Sequence, residues 1–326
     1  MKDSGAPPAG PTLSGMGERG FISRLRREFP GLREAGDDAA VLPRLSCPVA
    51  TIDSFIEGRH FLRWWCDPAI LGRRLLEATL SDLAAMGAGP SSALVSLAAP
   101  GDLGWDWLAG FYAGLLSRPD CTVAGGETVA SDRLVITISA TGEGGEPSTL
   151  LRRGAMAPGD VLWLTGPIGR SLDISAGMEA CGGLEGASLR PVKPVPDSEL
   201  ERLRAFLEPR AAFREACIVR GRGARCAIDI SDGLFSEAEH LCTESGAGCE
   251  IDLDAVPLFE AVRGRPAEAC AAGEDFVLLF TAPPALDFSD CGFARIGTAA
   301  GEPGLRITTG GRRAVVTAGT GYDHFG

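Results

Sequence analysis

The chain has 326 residues, 45% of them hydrophobic, and a formal net charge of -12. That length suits two domains of ordinary size, each with its own core, and the acidic balance argues against a nucleic-acid partner, which needs a basic surface. No apolar run approaches a membrane span and no basic segment followed by an apolar one opens the chain, so the sequence predicts a soluble, cytoplasmic protein that binds neither nucleic acid nor membrane.

Residues 1–17, rich in Gly, Pro and Ser, read as a disordered tail. Phe21, Ile22, Leu25 and Phe29 then follow helical spacing. The loop from Gly31 to Asp38 ends in paired aspartates, and the AAVL that follows suits a strand. Cys47 to Asp53 reads as a strand, with a loop after it carrying Glu57 and His60. Asp67-Pro68 starts a helix that runs through Leu71, Leu75, Leu80 and Leu83 to about Gly87. Asp82 interrupts that apolar helix, and because an unpaired buried carboxylate is costly, it is expected to face a cavity or a cation. Ser92 to Ala98, Cys121 to Ala124 and Leu134 to Thr141 read as strands, and Trp105 to Leu116 as a helix. The β-α-β-α-β-β order fits an α+β sheet with helices on one face. Its other face needs cover, which a homodimer would supply.

The Gly- and Glu-rich stretch Gly142 to Thr149 is the best boundary, dividing residues 18–145 from 146–326. The second half opens with Arg152 and Arg153 before a strand at Val161 to Thr165. Helices are predicted at Ile168 to Ala180, Asp197 to Leu207 and from Leu234 to about Ser245. Strands are predicted at Cys249 to Leu253, Phe276 to Thr281, Ala294 to Gly297, Leu305 to Thr308 and Ala314 to Thr317.

The most informative stretch is Arg225 to Gly233, RCAIDISDG. A short apolar strand ends in Asp229, Ser231 and Asp232 and breaks at Gly233, so the polar groups stand at a strand's C-terminal lip, where α/β sheets bind ligands. Taken alone, the same residues also make an ordinary turn. Acidic residues recur in similar settings at Asp37, Asp38, Asp53, Asp82 and Glu127. Like charges about 4 Å apart repel by roughly 4 kcal/mol near a protein surface, so carboxylates converging on one cleft need cations. With oxygen donors and no Cys-His spacing, the cation indicated is Mg2+ carried with a polyphosphate. Ten cysteines from Cys47 to Cys291 include no Cys-x-x-Cys pair, as expected of reduced thiols. Only Lys2 and Lys193 are lysines among 31 basic residues, which makes a P-loop or Schiff-base lysine improbable.

In order along the chain, AGDDAAVL, TIDSFIEGRHF, LSDLAAMGAGP, GGET, LLRRGAMAPGD, AIDISDGL, AGEDFVLLF and GYDHFG resemble the motifs of the thiamine-monophosphate kinases, a branch of the aminoimidazole ribonucleotide synthetase superfamily. The resemblance covers nearly the whole chain from about residue 18. It implies a two-domain α/β (α+β) fold, with a ferredoxin-like N-terminal sheet domain that pairs in a homodimer and a C-terminal α/β domain. The implied reaction moves the γ-phosphoryl group of ATP directly onto thiamine monophosphate with several Mg2+ ions. By position, Asp38, Thr51, Asp53, Asp82, Glu127, Asp229 and Asp232 resemble the metal ligands. Tyr112, Gly126, Arg152 and Ser231 resemble the nucleotide contacts, and His60, Glu274 and Tyr322 the contacts to thiamine monophosphate.

Two positions depart from the family's pattern. Ile52 stands where a second hydroxyl is usual and cannot coordinate through its side chain, and Glu127 replaces an aspartate, with one methylene more reach. Two alternatives follow: a superfamily relative acting on another small substrate, such as an aminoimidazole ribonucleotide synthetase-like ligase, or a dimeric Mg-ATP-binding protein without turnover.

Overall fold

A computed structural model describes residues 10–32, 37–314 and 321. The helix α1 (Leu13–Glu28) begins inside the stretch read as tail. It starts there because the Thr12 hydroxyl accepts from the Gly15 N–H at 3.2 Å, and it is interrupted at Gly17, whose φ is 65°. Its buried residues are Phe21 and Leu25, as the spacing predicts. The AAVL segment is not a strand. Pro43 follows it, and Val41 is 97% exposed, so the run has no sheet to join.

The first half then runs β1 (Pro48–Ile56), α2 (Pro68–Ala85), β2 (Gly89–Ala99), α3 (Trp105–Leu115), β3 (Thr122–Ala130) and β4 (Val135–Glu143). The strands form a sheet in the order β1-β4-β2-β3, antiparallel except for the β2–β3 pair. Along β4, buried Ile136, Ile138 and Ala140 alternate with half-buried Thr137, Ser139 and Thr141, the period of a sheet covered on one face. Asp53 pairs with Ile138 and so lies on the covered face, whereas Ile52 pairs with Ser139 on the open one. Fourteen of the 18 residues of α2 are buried, so this helix has neighbours on nearly every side.

The second half comprises β5 (Val161–Leu164), α4 (Ile174–Cys181), β6 (Leu184–Glu185), β7 (Arg190–Pro191), α5 (Asp197–Leu207), α6 (Phe213–Gly221), β8 (Cys226–Asp229), α7 (Leu234–Ser245), β9 (Gly248–Asp252), α8 (Pro266–Ala271), β10 (Leu278–Ala282), β11 (Ala294–Ala300), β12 (Gly304–Thr309) and β13 (Arg312–Arg313). Seven of these strands form a sheet in the order β13-β12-β9-β11-β5-β10-β8. The helix predicted from Ile168 starts only at Ile174. The Gly169 and Arg170 N–H groups are held by the Asp275 carboxylate, and Asp173 sits in left-handed backbone, so the chain turns there first. The last strand among the described residues is Arg312–Arg313; of the strand expected at Ala314 to Thr317, residues 315–317 lie outside the described residues.

One apolar cluster joins the first sheet, α2 and α3 to Met178, Leu203, Phe206 and Phe276 of the second half. Two further clusters fill the two sides of the seven-stranded sheet. Helix α2 is therefore the seam between the halves, and it brings its own polar residues against the end of β8.

Candidate active site

Thr51 and Asp53 are two residues apart on β1 and point to the side of the sheet that α2 covers. Ser81 and Asp82 lie near the C-terminus of α2. The Thr51 hydroxyl donates to Asp82 Oδ2 at 2.5 Å, and the Ser81 hydroxyl donates to Asp229 Oδ2 at 2.7 Å. Asp229, the last residue of β8, is 1% exposed, and its Oδ1 has no hydrogen-bond partner among the described residues. β1, α2 and the end of β8 thus carry Asp53, Asp82 and Asp229 to one place.

The electrostatics follow from that convergence. Burial pushes the Asp53 carboxyl up to about 6; the Asp82 charge adds to the rise, the adjacent Thr79 hydroxyl offsets part of it, and the Asp232 charge adds again. The Thr79 oxygen is nonetheless outside bonding geometry with any partner among the described residues. Asp229 is also raised, first by burial and then by the Asp82 charge, against the Ser81 hydrogen bond and the Arg153 charge. The Arg153 charge thus acts at Asp229 although the residue itself is exposed. Arg152 is exposed, and its backbone N–H donates to the Arg225 carbonyl at 2.8 Å.

The turn after β8 is held by a residue that sequence reasoning passed over. Glu237 is 1% exposed; its Oε1 accepts from the Ser231 hydroxyl and the Asp232 N–H, both at 3.1 Å, and its Oε2 lies 3.1 Å from His240 Nδ1. Its signal in the sequence is an acid in the first turn of α7, where it caps the turn that precedes the helix. The turn also binds the segment Gly273 to Phe276: the Glu274 N–H donates to the Ser231 carbonyl at 2.7 Å. Gly273 is required there, since a Cβ would stand 2.1 Å from the Ser231 oxygen. Glu274 has a left-handed φ of 56° and pairs with Arg74 at 3.1 Å. Burial raises the Glu274 carboxyl and Arg74 opposes the rise. Asp275, a second overlooked residue, has no exposed surface and accepts from the Gly169 N–H at 2.9 Å and the Arg170 N–H at 3.0 Å. Burial pushes it up to about 6 against the pull of Arg170 and those N–H groups.

Asp38, Tyr112, Gly126 and Glu127 are gathered at a second location, lining one cavity of about 700 Å³ together with Asp37, Ile52 and residues of α1. A Cβ at Gly126 would stand 1.8 Å from the Val95 carbonyl, so the chain can pass here only as glycine. Tyr112 packs against Phe21 and Phe111 at 6.2 and 5.9 Å between ring centroids, which makes it part of the apolar wall. His60 follows β1; its Nδ1 accepts from the Ile56 N–H at 3.0 Å and its ring meets Phe55 edge-on. Tyr322 lies outside the described residues.

Among the described residues, no three His, Cys, Asp or Glu side chains are close enough to hold one ion by themselves. The donor set suits Mg2+ nonetheless, because this ion is commonly held by one or two carboxylates while substrate phosphates and water complete its shell. A buried carboxylate oxygen without a partner, such as Asp229 Oδ1, is the kind of donor such an ion would use.

Residues 36–144 match the AIR synthase related protein N-terminal domain, and residues 157–309 the C-terminal domain of the same family. The thiamine-monophosphate kinase of Salmonella typhimurium is 32% identical, over 94% of this chain and 98% of its own. The crystal structure of thiamine-monophosphate kinase from Stenotrophomonas maltophilia K279a superposes with a TM-score of 0.73 at 27% identity, covering 90% of this chain and 96% of that one. The structure of AaThiL complexed with AMPPCP and TMP superposes at 0.71, also at 27% identity, over 95% and 97%. On these matches and the ordered carboxylates behind them, the chain belongs to the AIR synthase related family and, within it, to the thiamine-monophosphate kinases.

Proposed function

We propose that this protein transfers the γ-phosphoryl group of ATP to thiamine monophosphate, forming thiamine diphosphate, and that it works as a cytoplasmic homodimer whose domains are residues 18–145 and 146–326. The observation that carries the reading is the delivery of Asp53, Asp82 and Asp229 from three separate elements to one place, next to the turn bearing Ser231 and Asp232. Such a concentration of negative charge has little structural value and is costly unless cations join it.

Phosphoryl transfer depends on alignment and charge neutralisation more than on a covalent partner. Asp53, Asp82, Asp229 and Asp232 with Thr51 on one side, and Asp38 and Glu127 on the other, would hold Mg2+. When bound, the ions neutralise the charge of the transferring group and of the carboxylates together. Ser81 and Thr51 fix the orientation of Asp229 and Asp82 through their hydroxyls. Glu237 fixes the turn that carries Ser231 and Asp232. The cavity lined by Tyr112, Gly126 and Asp38 supports nucleotide binding at that second location; Ser231 and Arg152, outside its lining, are assigned as further contacts by their place in the motifs. His60, Glu274 and Tyr322 are assigned to the acceptor. An acceptor phosphate is already largely ionised at neutral pH, so no general base is needed and no Ser-His-Asp or Cys-His arrangement is required.

Dimerisation is supported by the open face of the first sheet, where Ile52 is 65% exposed, Val129 47% and Leu94 39%. The test of the whole reading is chromatographic detection of thiamine diphosphate after incubation with ATP, Mg2+ and thiamine monophosphate, with an EDTA control. Metal-dependent product supports it. ATP binding without product from thiamine monophosphate overturns the substrate assignment.

A further inference from the structure

Arg74 is a buried cation near the site. It lies on α2 with 2% exposure, donates from Nη1 to the Phe206 carbonyl, and stacks on the Phe206 ring at 3.7 Å. Its Nη2 lies 3.1 Å from Glu274 Oε1, and its Nε has no hydrogen-bond partner among the described residues. A buried arginine with one orphan N–H is an expensive arrangement for a purely structural purpose; an apolar side chain of similar volume would fill the seam at lower cost. The guanidinium joins three elements: α2, the end of α5, and the segment that holds Glu274 in left-handed backbone. That segment is fixed from both sides, by the Ser231 carbonyl at Glu274 and by the Gly169 and Arg170 N–H groups at Asp275. With the backbone so constrained, the remaining freedom of Glu274 is its side chain, 30% exposed and ion-paired with Arg74.

We propose that Arg74 is a positioning residue for the acceptor substrate, holding one carboxylate oxygen of Glu274 so that the other faces the cationic heterocycle of thiamine monophosphate. The inference rests on the assignment of Glu274 to the acceptor made above. The matching of charges is consistent: Arg74 neutralises a partly buried carboxylate without occupying both its oxygens, and a thiazolium-bearing ligand supplies the second cation. Arg74 touches no reacting group, so its effect falls on acceptor binding and leaves the nucleotide half of the site unchanged.

The test is a double-mutant cycle on the full chain with Arg74→Met and Glu274→Gln, read as KM for thiamine monophosphate, KM for ATP and kcat, together with melting temperature. Truncating one partner of a buried charge pair commonly costs enough to raise the acceptor KM about tenfold or more in each single variant. The double variant should show no further rise, because the two residues act as one unit. KM for ATP should move less than about threefold, since neither side chain lines the nucleotide cavity and the bond of Glu274 to Ser231 is made by its backbone N–H, which the substitutions keep. Arg74→Lys, which keeps the charge but not the fork, should raise the acceptor KM about threefold, and only when Glu274 is present. That variant carries the cycle if Arg74→Met does not fold. Additive effects on the acceptor KM, or equal changes in both Michaelis constants, would overturn the positioning role while leaving the kinase assignment standing. Absence of thiamine diphosphate with the unaltered protein would overturn both.

Discussion

Asp275→Ala is the perturbation whose consequence is best defined by the geometry. The carboxylate has no exposed surface, accepts from two backbone N–H groups, and lies 3.4 Å from the Arg170 guanidinium. Truncation leaves both N–H groups buried without an acceptor, at about 1–3 kcal/mol each. It also leaves Arg170 without its carboxylate, and breaking a buried ion pair costs roughly 3–5 kcal/mol. These losses share one site and do not add fully, so the expected destabilisation is about 4–6 kcal/mol, a large share of a typical domain's stability. Asp275→Asn retains one acceptor oxygen and should cost about half as much. The assay is urea unfolding followed by circular dichroism, comparing midpoints at an unchanged slope. A loss below about 1 kcal/mol for Asp275→Ala would refute the reasoning, because it would mean that these N–H groups find water or another acceptor. The same variant tests the coupling of stability to the site. Asp275 anchors the segment carrying Glu274, so the acceptor KM of folded protein should rise well before the fold is lost.

Further outcomes follow from the carboxylates and the open sheet face. Asp229→Asn should abolish turnover while raising the melting temperature of the metal-free protein, since the change removes a buried charge and keeps an acceptor for Ser81; full activity would remove Asp229 from the site. The pH dependence of metal-free stability has a defined sign. The Asp53 carboxyl is raised from 3.8 to about 6, so its contribution is fully present below the unfolded value and is lost as pH rises through the folded one. That shift corresponds to a ceiling of about 3 kcal/mol lost across this window, and Asp53→Asn should flatten the curve measured by unfolding in EDTA; an unchanged slope would contradict the burial of this group. Under the proposed homodimer, Ile52→Asp places a charge on the open sheet face and should leave the protein a monomer where the unaltered chain is a dimer by light scattering after size exclusion, with its secondary structure retained.

Much of the fold was legible because its signals are local. The period-2 alternation of β4, the Asp67-Pro68 start of α2 and the apolar run ending at Asp229 each lie within a few residues, and all three elements are present. Where the reading failed, non-local forces decided. AAVL has strand composition but no strand beside it, and Ile168 to Asp173 has helical spacing but loses its first N–H groups to Asp275, more than 100 residues away in the chain. Helices α6 and α8, of nine and six residues, are too short to show a helical period without their neighbours.

The candidate site divides along the same line. The sequence by itself determined the chemistry available: which residues are acidic, that they end strands or interrupt an apolar helix, and that lysine is scarce. It did not determine which of them meet. Register placed Asp53 on the α2 side and Ile52 on the other face, and the packing of α2 on the end of β8 brought Ser81 to Asp229 across 148 residues. Only the tertiary structure set the Arg153 charge near Asp229, because the two come from distant parts of the chain. Only it revealed Glu237, Asp275 and Arg74, because a buried charge is recognised by the partners that surround it, and those partners come from distant parts of the chain.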